Sequence, residues 1–225
     1  MVIGHLVIGI CLGFGIWILG FNRMDVILSS ERVDVQDCHV LVTGFFKDER
    51  PLKGSSGWID WRLNGMLSRF LIEKKLTGEW KETTLIPSQG RISPRMILLL
   101  GLGELKEYSY LRLRELSPYL LETLKKLGTL SVCLSLPYEG STHVDCGKLA
   151  EVLIEGMADC LNLREYPMDE EWIKNLSLYF AEGEDHFYEI VLGVQTAQSL
   201  LEERIQIRIF TPSEIPSGQS SKIQT

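Results

Sequence analysis

Two glycine-rich turns are the segments of this sequence best suited to hold a ligand. Gly54-Ser55-Ser56-Gly57 stands directly before a predicted helix, and Gly101-Leu102-Gly103 follows Met96-Ile97-Leu98-Leu99-Leu100, an apolar run that reads as a buried strand. Where a strand ends in glycines, backbone amides can approach an anion, and a helix starting there adds its unpaired N–H groups. Gly54, Ser55, Ser56, Gly57, Gly101 and Gly103 are therefore the candidate ligand-binding residues. Neither turn carries the Gly-Lys-Ser/Thr ending of a phosphate loop or the Gly-x-Gly-x-x-Gly of a dinucleotide site. A tight strand-to-helix turn would call for the same glycines.

Other chemistries find less support. Two-metal hydrolysis needs clustered carboxylates that clamp both ions. The nearest runs, Asp169-Glu170-Glu171 and Glu182-Gly183-Glu184-Asp185-His186, read as solvated loops or helix caps, so neither a metal nor a catalytic residue is assigned. Cys11, Cys38, Cys133, Cys146 and Cys160 are odd in number and lack a Cys-x-x-Cys pair. That is the usage of buried thiols in a reducing compartment, not of a disulfide frame or a zinc site. A catalytic thiol would need a histidine such as His143 brought beside it by the fold. No cofactor is implied.

The net charge of −7 argues against nucleic acid as a partner, because phosphate contacts require a basic face. With 45% hydrophobic and 24% charged residues, the 225-residue chain can bury a substantial core. Strands and helices alternate, the pattern of a layered α/β fold. Val26-Ile27-Leu28, residues 40–46, 96–100, 130–136, 176–180 and 205–210 read as strands. Residues 58 to about 74 read as one helix capped by Ser55 or Ser56, with Ile59, Leu63, Leu67, Phe70 and Leu71 facing inward. Trp58 and Trp61 read as packing residues. Pro118 is expected to kink or restart the next helix with Ser117 as its cap, and Gly128 to end it. Residues 148–161 and 187–203 read as two more helices, the latter burying Ile190, Val191, Val194, Ala197, Leu200 and Leu201.

Residues 1–23 form an apolar segment that could just span a bilayer. It makes a poor cleavable signal, and Met24 offers an alternative translation start. A membrane is a partner only if the segment is genuine, in which case the single Arg23 would favour a cytoplasmic domain. Residues 24–210 are the folded domain, and residues 211–225 read as a disordered tail.

Several stretches together resemble the amino-terminal domain of the leucyl aminopeptidase (cytosol aminopeptidase) family. They are residues 47–54, an acidic loop; Trp58-Ile59-Asp60-Trp61-Arg62-Leu63-Asn64-Gly65-Met66-Leu67; residues 74–80 with Thr83-Thr84-Leu85-Ile86-Pro87; residues 95–103; and Ala150-Glu151-Val152-Leu153-Ile154-Glu155-Gly156. The resemblance implies a macro-domain-like three-layer fold, a mixed and mostly parallel sheet between helices. It also implies a stand-alone domain in the cytoplasm without the family's metal-binding catalytic half, acting in assembly or regulation with itself or with an aminopeptidase partner. The alternatives are a small-molecule module for a nucleotide or ADP-ribose-like ligand, since macro-like folds use such loops, and an aminopeptidase subunit whose catalytic half is another chain.

Overall fold

The computed structural model describes residues 22–140, 142–162, 170–202 and 205–211. Seven strands form one sheet in the order β3-β4-β2-β5-β6-β1-β7. They are β1 (Asn22–Ser29), β2 (Val40–Phe45), β3 (Thr83–Pro87), β4 (Met96–Gly101), β5 (Ser131–Ser135), β6 (Ser177–Ala181) and β7 (Ile205–Phe210). Only β3 runs antiparallel, pairing Thr83 with Leu100 through Pro87 with Met96. The helices are α1 (Gly54–Arg62), α2 (Met66–Ile72), α3 (Tyr110–Leu127), α4 (Cys146–Asn162), α5 (Glu170–Asn175) and α6 (Phe187–Leu201). The architecture is a mixed, mostly parallel α/β sandwich, the layered class expected from the alternation of elements with the mixed sheet that the resemblance implied.

The two layers follow from the two-residue period of a strand. In β2, Val40 and Val42 join the core beneath α3, α4 and α6, whereas Leu41 and Phe45 join the core beneath α1 and α2. In β4, Leu98 and Leu100 face the first layer, and Ile97 and Leu99 the second. Strands buried on both sides have no polar face, so they appear in sequence as unbroken apolar runs.

Four local expectations are corrected. The single helix expected from 58 to about 74 is two, because Asn64 and Gly65 adopt φ of 56° and 71° between α1 and α2. The first begins at Gly54 with Lys53 as its N-cap, so Ser55 and Ser56 lie inside it and do not cap it. Pro118 neither stops nor restarts α3, which is capped by Ser109 and closes at Gly128 in the left-handed conformation. A proline at 118 leaves the Arg114 carbonyl without its helical donor. Gly156 of α4 packs at that spot, where an added Cβ would lie 2.8 Å from the Arg114 oxygen and 2.7 Å from the Ser117 Cβ. Leu200, expected inward, is 62% exposed.

A buried carboxylate paired with two partly exposed arginines ties the loop after β1 to α1. The Asp34 side chain accepts hydrogen bonds from Arg62 Nε (2.9 Å) and Nη2 (2.6 Å), and Arg32 Nε lies 3.3 Å from its other oxygen. Burial works against charge on Asp34, but the Arg62 hydrogen bonds and both guanidinium charges outweigh it and hold the carboxyl below its ordinary value.

Residues 1–21 and 212–225 lie outside the described residues, as do the membrane segment and disordered tail expected there. Asn22 and Arg23 already belong to β1, pairing with Ile205 and Gln206. Among the described residues, no helix is long and apolar enough to cross a membrane.

Candidate functional site

A cavity of about 500 Å³ opens at the carboxyl ends of β1, β2, β5 and β6. Its position follows from the strand order. After β2 the chain crosses to β3 and β4 on one side, and after β5 it proceeds to β6 on the other, so the connections that follow β2 and β5 separate. Parallel sheets place ligands at such divergence points. Here the split is bridged by Ser55 of α1 and Ser135 of β5, whose hydroxyls share a short hydrogen bond.

Each wall has a distinct chemistry. Arg32, after β1, lies over the Trp58 ring at 3.9 Å from its centroid, so a cation and an aromatic face form one side. Lys53 and Glu49 pair at 3.0 Å on the loop before α1. The loop after β5 supplies Tyr138, Glu139, Gly140 and Thr142. It is shaped by Glu139 and Gly140 at φ of 50° and 59° and by the Glu139 N–H donating to the Val144 carbonyl at 2.8 Å. Glu182, just past β6, forms part of the floor and accepts a hydrogen bond from the Tyr138 hydroxyl at 3.3 Å.

Glu182 is the most perturbed carboxyl there. Burial pushes it up to about 7 against hydrogen bonds from Ser135 and Tyr138 that favour its charged form. Perturbed groups lining a cavity are candidates for function, and this one can donate a proton to a ligand near neutrality. The folded protein therefore holds this proton to a higher pH than the unfolded chain, and its contribution to stability is present below about 4.5 and lost as pH rises toward about 7. Glu182→Gln, which keeps the hydrogen bonds without a charge, should raise the unfolding midpoint above about pH 7 and leave it nearly unchanged below about pH 4.5. Urea unfolding across this range checks it, and a variant less stable at the alkaline end would rule the account out.

The structure divides the six residues singled out from sequence. Gly54 and Ser55 line the cavity. Ser56 is buried and donates to the Lys53 carbonyl at 3.0 Å, and at Gly57 an added Cβ would lie 2.5 Å from the Leu52 carbonyl oxygen. Gly101 and Gly103 do not line this cavity. At Gly101 a Cβ would lie 2.1 Å from the Glu79 carbonyl oxygen, and at Gly103 it would touch Trp80. These glycines admit the loop before β3 against the end of β4. The two turns therefore form no common site.

The residues that sequence reasoning did not select are Arg32, Tyr138, Glu139 and Glu182. Each follows the end of a strand, and Glu182 also opens the acidic run read above as a solvated loop or helix cap. Trp58 is both a packing residue and cavity wall, and Trp61 is 65% exposed.

Beside the cavity, one ligand atom each of Cys146, His186 and Glu189 lies within 4.8 Å of the others. Tyr138 links the two places, its ring meeting His186 edge-on at 4.9 Å between centroids. Burial, with the carboxylates of Glu182, Glu189, Asp145 and Glu139, pushes the Cys146 thiol up. Cys38, Cys133, Cys146 and Cys160 are all free and buried, as their spacing suggested, and Cys11 lies outside the described residues. His143 is exposed.

Comparison with known proteins matches residues 42–161 to the profile described as "Cytosol aminopeptidase family, N-terminal domain". A "Probable cytosol aminopeptidase" of Sulfurihydrogenibium sp. (strain YO3AOP1) is 22% identical over 163 residues, covering 72% of this chain and 30% of that protein. The cytosol aminopeptidase of Pseudomonas aeruginosa PAO1 is 28% identical over 138 residues, covering 61% of this chain and 28% of that protein. The chain thus spans under a third of the length of these relatives. Among solved structures, a tomato leucine aminopeptidase mutant superposes with a TM-score of 0.55 at 14% identity, covering 80% of this chain and 37% of that one. A Trypanosoma brucei macrodomain in complex with ADP gives 0.56 at 14% identity, covering 76% and 69%. At these identities the structural likeness is one of fold.

Proposed function

The chain belongs to the cytosol aminopeptidase family through its N-terminal domain, and on that premise we propose that it is a ligand-binding domain whose cavity takes a nucleotide-like small molecule. The observation that carries this reading is the placement of the cavity of about 500 Å³, at the carboxyl ends of parallel strands where β2 and β5 lead apart. Its volume is within the range of small-molecule sites, roughly 300–1,000 Å³. An aromatic ring beside a guanidinium suits a flat, polar ring system, and Lys53 with the start of α1 suits an anionic group. The T. brucei macrodomain of the same fold is described in complex with ADP, which makes ADP and ADP-ribose the first ligands to try.

A thermal scan of the full chain with and without these ligands tests the reading. Ligand at about 100 times its dissociation constant adds roughly 2.7 kcal/mol, which for a chain of this size raises the midpoint by about 5–10 °C. The shift should disappear in Ser55→Trp, which fills the cavity. A flat response to ADP, ADP-ribose and the common nucleotides would refute it.

An assembly role, the other expectation from the family, is supported by α6. Tyr188, Leu192 and Leu200 lie along that helix 82%, 67% and 62% exposed, an apolar row unusual for a lone surface helix. In this reading α6 meets a second copy or an aminopeptidase chain, and light scattering of the protein alone and mixed with a full-length relative distinguishes the two. Peptide hydrolysis is assigned to neither reading, because the matched region is the N-terminal domain of much longer relatives. Their description as cytosol aminopeptidases supports a cytoplasmic setting.

A further inference from the structure

Two helix starts, distant in sequence, meet beside the cavity. Cys146 is the first residue of α4, directly after Asp145, whose carboxylate accepts the Lys148 N–H at 2.7 Å and so caps the helix. His186 is the N-cap of α6, and Glu189 follows three residues on in its first turn, which returns it to the same side. The helices approach through glycines. A Cβ on Gly193 would lie 2.0 Å from the Gly147 carbonyl oxygen, and one on Gly147 would lie 2.4 Å from the Glu189 carbonyl oxygen. Any larger residue at either position would hold Cys146 away from Glu189.

We propose that Cys146, His186 and Glu189 form a binding site for a zinc-like divalent cation, with the Glu139 carboxylate as a fourth donor or with that position open to water. The donor set is the argument. A thiolate, an imidazole and a carboxylate together suit zinc and its neighbours and do not suit magnesium or calcium, which take oxygen donors. The geometry is close to what binding demands. With metal–ligand bonds of about 2.0–2.3 Å, tetrahedral donors stand about 3.3–3.8 Å apart. Glu189 Oε2 lies 3.4 Å and Glu139 Oε1 3.7 Å from His186 Nδ1, and the three-residue set is contained within 4.8 Å, so small side-chain movements complete it. The surroundings are acidic, since Asp145 and Glu182 act on the same thiol as Glu139 and Glu189. A bound cation offsets that repulsion and, by coordinating the sulfur, deprotonates a thiol that its surroundings otherwise keep protonated. Cys146 is buried while the His186 and Glu189 side chains are 25% and 47% exposed, which leaves an entry path from solvent.

The plainer reading, a buried thiol beside a surface His–Glu pair, predicts no stoichiometric metal. The test therefore uses the full chain, stripped with a chelator and then dialysed against zinc, with elemental analysis of the protein. A single equivalent is expected. Cobalt(II) should give a near-ultraviolet thiolate-to-cobalt charge-transfer band and intense visible bands of tetrahedral coordination. Cys146→Ala should abolish the charge-transfer band. Glu189→Gln, at an exposed position that leaves folding intact, should weaken zinc at least as much as loss of an outer-sphere partner does, roughly 10–100-fold. Circular dichroism confirms that each variant is folded. Failure to retain zinc, or equal retention by wild type, Cys146→Ala and Glu189→Gln, would overturn the proposal. The metal measurement reads nothing of the nucleotide cavity, so either proposal can fail alone.

Discussion

Phe46→Ala should lower the unfolding free energy by about 3–5 kcal/mol, the usual cost of deleting a buried aromatic ring. Phe46 follows β2 directly, is 1% exposed, and meets the Tyr108 ring edge-on at 5.0 Å between centroids. Three terms add in the same direction. The ring loses its burial, the surrounding Leu and Tyr side chains lose dispersion contacts across the void, and the aromatic pair itself contributes roughly 0.5–1.5 kcal/mol. Tyr108 cannot relax freely, because its hydroxyl is held by the Pro137 carbonyl at 2.8 Å. Chemical denaturation measures the loss, and a thermal midpoint lower by roughly 10 °C is its counterpart. A cost under about 1 kcal/mol would mean that the site collapses around the deletion. Because Phe46 also lines the cavity, the variant should weaken any cavity ligand as well.

Gly193→Ala should destabilise by about 2–3 kcal/mol, although alanine is ordinarily the better helix former by about 1 kcal/mol. The sign is decided by geometry. The new methyl carbon would stand 2.0 Å from the Gly147 oxygen and 2.6 Å from its carbonyl carbon, both backbone atoms that no rotamer change can move. Helices α4 and α6 would have to separate, loosening Val194 and Ala197 from the core that they share with Leu149, Ala150 and Leu153. The same separation would draw Cys146 from Glu189, so zinc retention should fall together with stability. A neutral or stabilising Gly193→Ala would show that the two helices can part freely. The pair of measurements also separates packing from metal binding, since Phe46→Ala should lower stability with zinc retention intact.

Much of the architecture could be read from residue patterns because strands and helices carry it locally. Residues 96–100 are apolar without alternation, as is Val132-Cys133-Leu134 between two serines, and such runs belong inside a sheet covered on both faces. Gly128 ended α3 as read, since a left-handed closing residue is a local requirement. Where the reading failed, a neighbour decided. Pro118 stays inside α3 because the flanking turns are held by packing, with Gly156 of α4 against the carbonyl that the proline leaves unpaired. Leu200 is 62% exposed because it lies off the face of α6 that carries Ile190, Val194, Ala197 and Leu201, although its apolar character alone suggested burial.

The candidate site was legible only in part. Gly54 and Ser55, which line the cavity, stood out in the sequence because a helix start near a strand end is written in consecutive residues. Gly101 and Gly103 carried the same signature for another reason, a close backbone approach to Gly78 and Glu79 or to Trp80, and glycine does not record which use it serves. Arg32, Tyr138, Glu139 and Glu182 come from three separate loops that strand order brings together. Cys146 and His186 showed no ligand spacing because they open different helices. By itself the sequence determined the layered α/β class, the family and one wall of the cavity, since each is written in short-range pattern. The tertiary structure alone decided which loops share the cavity, how far burial lifts Glu182, and that a thiol, an imidazole and a carboxylate stand side by side, because strand order and helix approach are set by packing between distant segments.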